Sequence, residues 1–202
     1  MRKLAALFNN RYLLWLALSV PGVLLVWPII VTGFIPPDFR NESGEWAMRL
    51  LLLTLALTPL QRIFRSSRFV HWFMRRRRYF GLASFLYATL HVGFYIWELA
   101  LDWGGAWLAR ALFVATNLFA FAGWLAFALY LPLAVTSNDY LQRRMGRWWK
   151  WLQRLTYFTV VAAAIHWVML ANRPATWLQL GLLVVLEMIR LGLLFRSRRT
   201  VR

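Results

Sequence analysis

Tyr79–Leu101 reads YFGLASFLYATLHVGFYIWELAL. At about 1.5 Å per residue this stretch makes a helix of roughly 34 Å, enough to cross a hydrocarbon core about 30 Å thick. It carries His91 in its middle. The chain has only three histidines. His166 lies inside another apolar stretch, Trp151–Ala171, and His71 lies in an arginine-rich loop. Working outward, further apolar runs follow the same pattern. Of 202 residues, 61% are hydrophobic and 13 are Trp, far above a soluble domain's apolar share. The fold class expected is all-α, a polytopic membrane bundle of six helices in one domain spanning residues 1–202. The spans fall at about 12–33, 46–61, 79–101, 108–135, 151–171 and 176–195. The first has no short apolar core ending in a small-residue cleavage site, so it reads as a retained helix with Pro21 and Pro28 inside it. Phe34–Glu45 reads as a polar loop.

The net charge is +17. In a soluble protein that would point to nucleic acid. Here the arginines sit at the ends of apolar segments, so they serve topology and contact with anionic lipid, and no nucleic-acid partner is expected. Arg2, Lys3, Arg11, seven arginines between Arg62 and Arg78, Arg143, Arg144, Arg147, Lys150 and the arginines of the tail fall on one side. The other side has only Arg40 and Arg173 outright, with Arg49 and Arg110 one turn into a span. The positive-inside rule then places both termini in the cytoplasm. Trp103, Trp107, Trp149, Trp151 and Trp177, near span ends, read as interfacial belts. Cysteine is absent, which removes disulfides, thiolate metal sites, iron–sulfur ligation and thioether-linked haem.

In this orientation the third and fifth spans both run outward. His91 stands seven residues before Glu98 and His166 six before Asn172, so both imidazoles lie roughly 10 Å below the outer surface. Equal depth on two helices is what axial ligation of one haem from both faces requires, each neutral imidazole giving one lone pair to iron. The metal ligands expected are therefore His91 and His166. Ala162, Ala163, Ala88 and Gly93 leave room for a flat macrocycle, and Tyr87 and Tyr95 share the face of His91. A second reading stands beside this one: each histidine is a buried hydrogen-bonding group joining helices. Arg49, Arg110 and Arg173 are cations within reach of haem propionates, or side chains snorkelling from helix ends. Glu187 and Arg190 are expected to pair with each other. Three-histidine zinc sites, a Ser-His-Asp triad, a phosphate-binding glycine loop and H-E-x-x-H are absent, so hydrolysis has no visible apparatus. Asn41-Glu42-Ser43 fits the short glycosylation pattern.

The chain resembles the MsrQ (YedZ) family, haem-binding membrane subunits within the wider ferric-reductase-like group. The resemblance rests on Gly44-Glu45-Trp46-Ala47-Met48-Arg49 leading to Thr58-Pro59-Leu60, on Arg77-Arg78-Tyr79-Phe80-Gly81-Leu82, and on Tyr87-Ala88-Thr89-Leu90-His91. It continues through Leu133-Ala134-Val135-Thr136-Ser137, Gly146-Arg147-Trp148-Trp149, Leu152 to Tyr157, and Ile165-His166-Trp167. The resemblance implies haem b, electrons drawn from the quinone pool, and transfer to a periplasmic molybdenum-containing (molybdopterin) reductase of methionine sulfoxide across the bacterial inner membrane. It implies a non-catalytic electron-transfer subunit of an oxidoreductase complex, with FMN also associated. His91 and His166 fall on the family's ligand positions. Relatives carry a further histidine in the fifth span where this chain has Gln153. Two-haem members of the wider group place ligands 13 residues apart, and here those positions are Arg78 and Gln153. One haem is expected, near the outer face, with a quinone or flavin near Arg77, Arg78, Gln153 and Arg154 serving the inner half. The alternatives from other classes are a membrane transport or channel protein and a non-redox membrane anchor for a periplasmic partner. Thr54, Ser84, Thr89, Asn117 and Glu187 do not form an obvious polar path for the former.

Overall fold

The computed structural model describes residues 10–33, 36, 38–171 and 173–199. Arg2, Lys3 and Arg202, on which part of the charge argument rests, lie outside them. Among the described residues there are helices and turns and no strand. In chain order the helices are α1 Arg11–Thr32, α2 Phe39–Ile63, α3 Arg68–Arg75, α4 Arg77–Trp103, α5 Trp107–Val114, α6 Leu118–Val135, α7 Asp139–Met145, α8 Arg147–Leu152, α9 Leu155–Leu170 and α10 Pro174–Arg199. Four helical stretches, Arg11–Thr32, Arg77–Val114, Leu118–Val135 and Pro174–Phe195, are long and apolar enough to cross a membrane. Helix α2 is as long but carries Arg40, Glu42, Glu45 and Arg49 in its first half. Helix α9 has 16 residues, or about 24 Å.

The bundle is built from two tight helix pairs, α2 with α4 and α6 with α9, with α10 laid against α2. Helix α2 stands at the centre because it is apolar on two faces. Leu50 and Leu57 enter a core with Leu25, Phe80, Tyr87 and Phe94. Met48, Leu51, Leu52 and Leu55, spaced for one helical stripe, enter a second core with Tyr130, Leu133 and Trp167. The outside is apolar as well. Leu16, Trp27 and Ile30 of α1 are 62%, 60% and 70% exposed, and Leu178 and Leu182 of α10 are 64% and 55% exposed. Such faces belong in lipid.

Several boundaries differ from the sequence reading, each for a local reason. Phe34–Glu45 is not all loop, because α2 starts at Phe39. Phe39 is buried and meets the Phe94 ring at 4.0 Å, and Arg40 pairs with Glu98. That contact places Asn41-Glu42-Ser43 in a helix, with Ser43 buried. The expected span 108–135 is divided at Ala115–Asn117. There Thr116 Oγ1 donates to the Phe113 carbonyl at 2.7 Å and Asn117 Nδ2 to the Val114 carbonyl at 3.1 Å. Such short polar side chains compete with the helix ladder for its carbonyls. The expected span 151–171 begins only at Leu155, after a turn at Gln153–Arg154. The basic loops hold short helices, α3 capped by Ser67 and α7 capped by Asn138, whose Oδ1 accepts from Leu141 N–H at 2.7 Å. Gly104, with φ 51°, turns the chain after α4.

Helix α1 is tied to α4 through one hydroxyl. Tyr87 Oη accepts from the Gly22 N–H at 2.8 Å and donates to the Leu18 carbonyl at 2.7 Å. In an uninterrupted helix those two backbone groups pair with each other. The tyrosine thus engages both partners of one α1 turn beside Pro21, a recognised cause of helix bending. Tyr87→Phe is expected to remove both polar contacts between α1 and α4. The loss is about 1–2 kcal/mol, the scale of a polar contact between helices in a membrane, read as a lower unfolding midpoint in micelles.

A candidate haem site between α4 and α9

His91 stands on α4 and His166 on α9, and their ring centroids are 6.0 Å apart at an interplanar angle of 77°. The two histidines that the sequence placed on separate apolar runs thus stand side by side. Each ring is fixed from behind by a neighbouring helix. His91 Nδ1 donates to the Arg40 carbonyl at 2.8 Å, and His166 Nδ1 donates to the Phe119 carbonyl at 2.7 Å. A carbonyl only accepts, so both rings carry their proton on Nδ1 and keep a lone pair on Nε2. Arg40 is the second residue of α2 and Phe119 the second residue of α6. Four residues further along each helix stands a glycine. A Cβ on Gly44 would come within 2.9 Å of His91 Nδ1, and one on Gly123 within 2.7 Å of His166 Nδ1. The same device is built twice: a helix start, a carbonyl that orients the ring, and a glycine against which the ring lies.

This donor set fits a haem held by two histidines. Two metal–imidazole bonds of about 2.0–2.1 Å in line, with each nitrogen about 1.1 Å from its ring centre, separate the centroids by about 6.3 Å. The observed 6.0 Å lies close to that. The carbonyl behind each ring is the outer partner that a ligating histidine requires to fix its tautomer and raise its basicity. One turn further along α4 from His91, the Tyr95 hydroxyl is buried and has no hydrogen-bond partner among the described residues. A hydroxyl there suits the carboxylate of a propionate.

The other expected residues fall in two groups. Toward the start of α2, Arg49 pairs with Glu45 of the same helix and lies over the Trp46 ring at 5.5 Å. Arg173 reaches the same Glu45 at 3.5 Å. Arg110 stacks on Trp103 at 4.7 Å and Phe113 at 5.4 Å. At the opposite end of α4, Arg78 Nε donates to the Ser137 carbonyl at 2.6 Å and its guanidinium pairs with Asp139. Gln153 Nε2 donates to the Leu133 carbonyl at 3.4 Å and to Thr136 Oγ1 at 3.5 Å. Arg78 and Gln153 therefore meet the same turn between α6 and α7. Arg154 lies over Trp151 at 4.5 Å. The polar residues weighed for a transport path are engaged locally. Thr54, Ser84 and Thr89 each donate to a backbone carbonyl. Glu187 pairs with Arg190 at 2.9 Å, as expected.

Sequence reasoning did not find the two orienting carbonyls, Gly44 and Gly123. A signal was present: Asp38 and Asn117, the residues that precede the two helices, each stand six positions before their glycine.

Two carbonyl-fixed imidazoles facing each other inside a bundle of apolar helices make a candidate haem site of a transmembrane redox domain, and comparison with known proteins points to that class. Residues 43–165 match the family model described as ferric reductase like transmembrane component. The chain is 39% identical over 161 residues to the protein-methionine-sulfoxide reductase heme-binding subunit MsrQ of Ralstonia nicotianae, covering 78% of this chain and 71% of that one. It is 39% identical over 165 residues to the MsrQ of Caulobacter vibrioides, covering 79% and 75%, and 33% identical over 167 residues to that of Brucella anthropi, covering 74% and 72%. The chain belongs to the MsrQ family of the ferric-reductase-like transmembrane proteins. No solved structure matches it.

Proposed function

We propose that this chain is the haem b membrane subunit that passes electrons from the quinone pool, or from a flavin donor such as FMN, across the bacterial inner membrane to a periplasmic molybdenum-containing methionine sulfoxide reductase. That partner reduces methionine sulfoxide in oxidised proteins back to the thioether. The observation that carries the reading is the pair of carbonyl-fixed imidazoles 6.0 Å apart. The names of the relatives, heme-binding subunits of a methionine sulfoxide reductase, give the chemistry its direction.

Bound haem supplies reversible one-electron acceptance, so the chain needs no substrate site of its own. His91 and His166 would hold the haem iron through their free Nε2 atoms, while the Arg40 and Phe119 carbonyls keep both rings in register. The Tyr95 hydroxyl and Arg49 serve the propionates, Arg49 exchanging one carboxylate, Glu45, for another. Six crossings with both termini in the cytoplasm put this site near the outer face, where the partner docks. Arg78, Gln153 and Arg154, with Arg77, serve the quinone or flavin at the inner face, where the chain offers no second histidine pair.

The purified protein is expected to hold one haem per chain with a low-spin bis-histidine spectrum. Arg78→Ala combined with Gln153→Ala is expected to slow haem reduction by quinol about tenfold or more, the worth of one charge-assisted hydrogen bond. Reduction by dithionite is expected to stay unchanged. Asp139→Asn keeps the Arg78 cation while removing its ion pair, and so separates donor binding from loop packing. Two haems per chain, or undiminished quinol reduction in the double variant, would overturn the assignment of the inner half.

A further inference from the structure

The two halves of the site differ in one hydrogen-bond donor to the orienting carbonyl. Both orienting carbonyls stand in the first turn of a helix, where the ladder already uses part of their acceptor capacity. The Phe119 carbonyl also accepts from His166 Nδ1, and the residue three further on is Ala122, which has no donor. The Arg40 carbonyl also accepts from His91 Nδ1 at 2.8 Å, and the residue three further on is Ser43, whose Oγ donates to the same oxygen at 2.8 Å. Ser43 is completely buried, so no water competes for its hydroxyl.

We propose that Ser43 sets the redox potential of the haem by sharing the Arg40 carbonyl with His91. The inference rests on the reading that His91 and His166 are the iron ligands. A carbonyl oxygen has two lone pairs, and each donor it accepts draws charge away from the others. A strong Nδ1–H···O bond makes an imidazole more basic toward its metal, which favours ferric over ferrous iron. The Ser43 hydroxyl weakens that bond on the His91 side only. His91 is therefore the less basic ligand, and the haem potential lies higher than two equally well-supported histidines would give. Ser43 acts through the Arg40 carbonyl and touches neither iron nor ligand ring, so it is a positioning residue.

The test is a spectroelectrochemical titration of the purified holoprotein carrying Ser43→Ala, Ser43→Thr or Ala122→Ser. Ser43→Ala is expected to raise the ferric-to-ferrous ratio at a fixed potential on the order of threefold to tenfold, the scale of part of one hydrogen bond. At 59 mV per tenfold for one electron, that is about 30–60 mV more negative. Ala122→Ser introduces the competing hydroxyl on the other side and is expected to move the potential positive. Ser43→Thr keeps the hydroxyl and is expected to match the wild type. An unchanged or more positive potential in Ser43→Ala at wild-type haem content overturns the proposal. If Ser43→Ala loses haem, Ala122→Ser decides: a positive shift supports the proposal and no shift overturns it. Failure of the underlying ligation reading shows differently, as a wild-type spectrum without the low-spin bis-histidine signature.

Discussion

His166→Ala, and separately His91→Ala, is expected to abolish bis-histidine haem in this protein. On the proposed ligation each ring would supply one iron ligand, and the two ring centroids stand 6.0 Å apart. Loss of an outer partner alone costs a metal site about 10–100-fold in affinity. Loss of a ligand costs more. The Soret absorbance of the purified protein should fall to near baseline in both variants, with any residual haem high-spin. The two variants should be alike, because half a site is no better than none for six-coordinate iron. Added imidazole should restore part of the low-spin spectrum in either variant by entering the space the side chain vacates. A wild-type spectrum in either variant refutes the ligand assignment.

Gly123→Ala should have nearly as large an effect without touching a ligand. The new methyl carbon would lie 2.7 Å from His166 Nδ1 and 2.8 Å from Cε1, well inside van der Waals contact. The ring has little freedom to yield, because its Nδ1 is held by the Phe119 carbonyl one turn earlier on the same helix. Relief requires the imidazole to swing off that carbonyl, which strands a buried N–H. Overpacking costs about 1–3 kcal/mol and the stranded donor about 1–3 kcal/mol. The sum, at 1.4 kcal/mol per factor of ten, is at least about tenfold in haem affinity. Gly44→Ala should act the same way and less strongly, its nearest contact being 2.9 Å to His91 Nδ1. Gly93→Ala is the control, since a Cβ there meets nothing within 4 Å. Haem occupancy after titration with hemin ranks the three. Equal occupancy in Gly123→Ala and Gly93→Ala would contradict the cradle.

The sequence disclosed what hydropathy and charge can encode. The apolar runs announced a helical membrane bundle, and two histidines inside two of those runs made the candidate pair. His91 and His166 were legible because ionisable groups inside apolar runs are expensive and therefore few. The start of α2 was not legible. Asp38, Arg40, Glu42 and Glu45 make its first turns look like a loop, and only the contacts with Phe94 and Glu98 show why the helix begins so early. The break before α6 was hidden in the opposite way. Ala115-Thr116-Asn117 interrupts an apolar run too briefly for hydropathy to register, while hydroxyl and amide groups compete for the carbonyls there. The orienting carbonyls of Arg40 and Phe119 belong to the backbone, which every residue carries alike. Their role follows from helix packing and not from residue type.

The Tyr87 hydroxyl in the ladder of α1 has a consequence for biogenesis. The Gly22 amide waits for a partner 65 residues further along the chain. At 5–20 residues per second, roughly 3–13 s pass between the synthesis of the two. During that interval α1 lacks the contacts that the Tyr87 hydroxyl makes with its Gly22 and Leu18 backbone groups. Docking of α1 through Tyr87 thereby waits on the histidine-bearing helix.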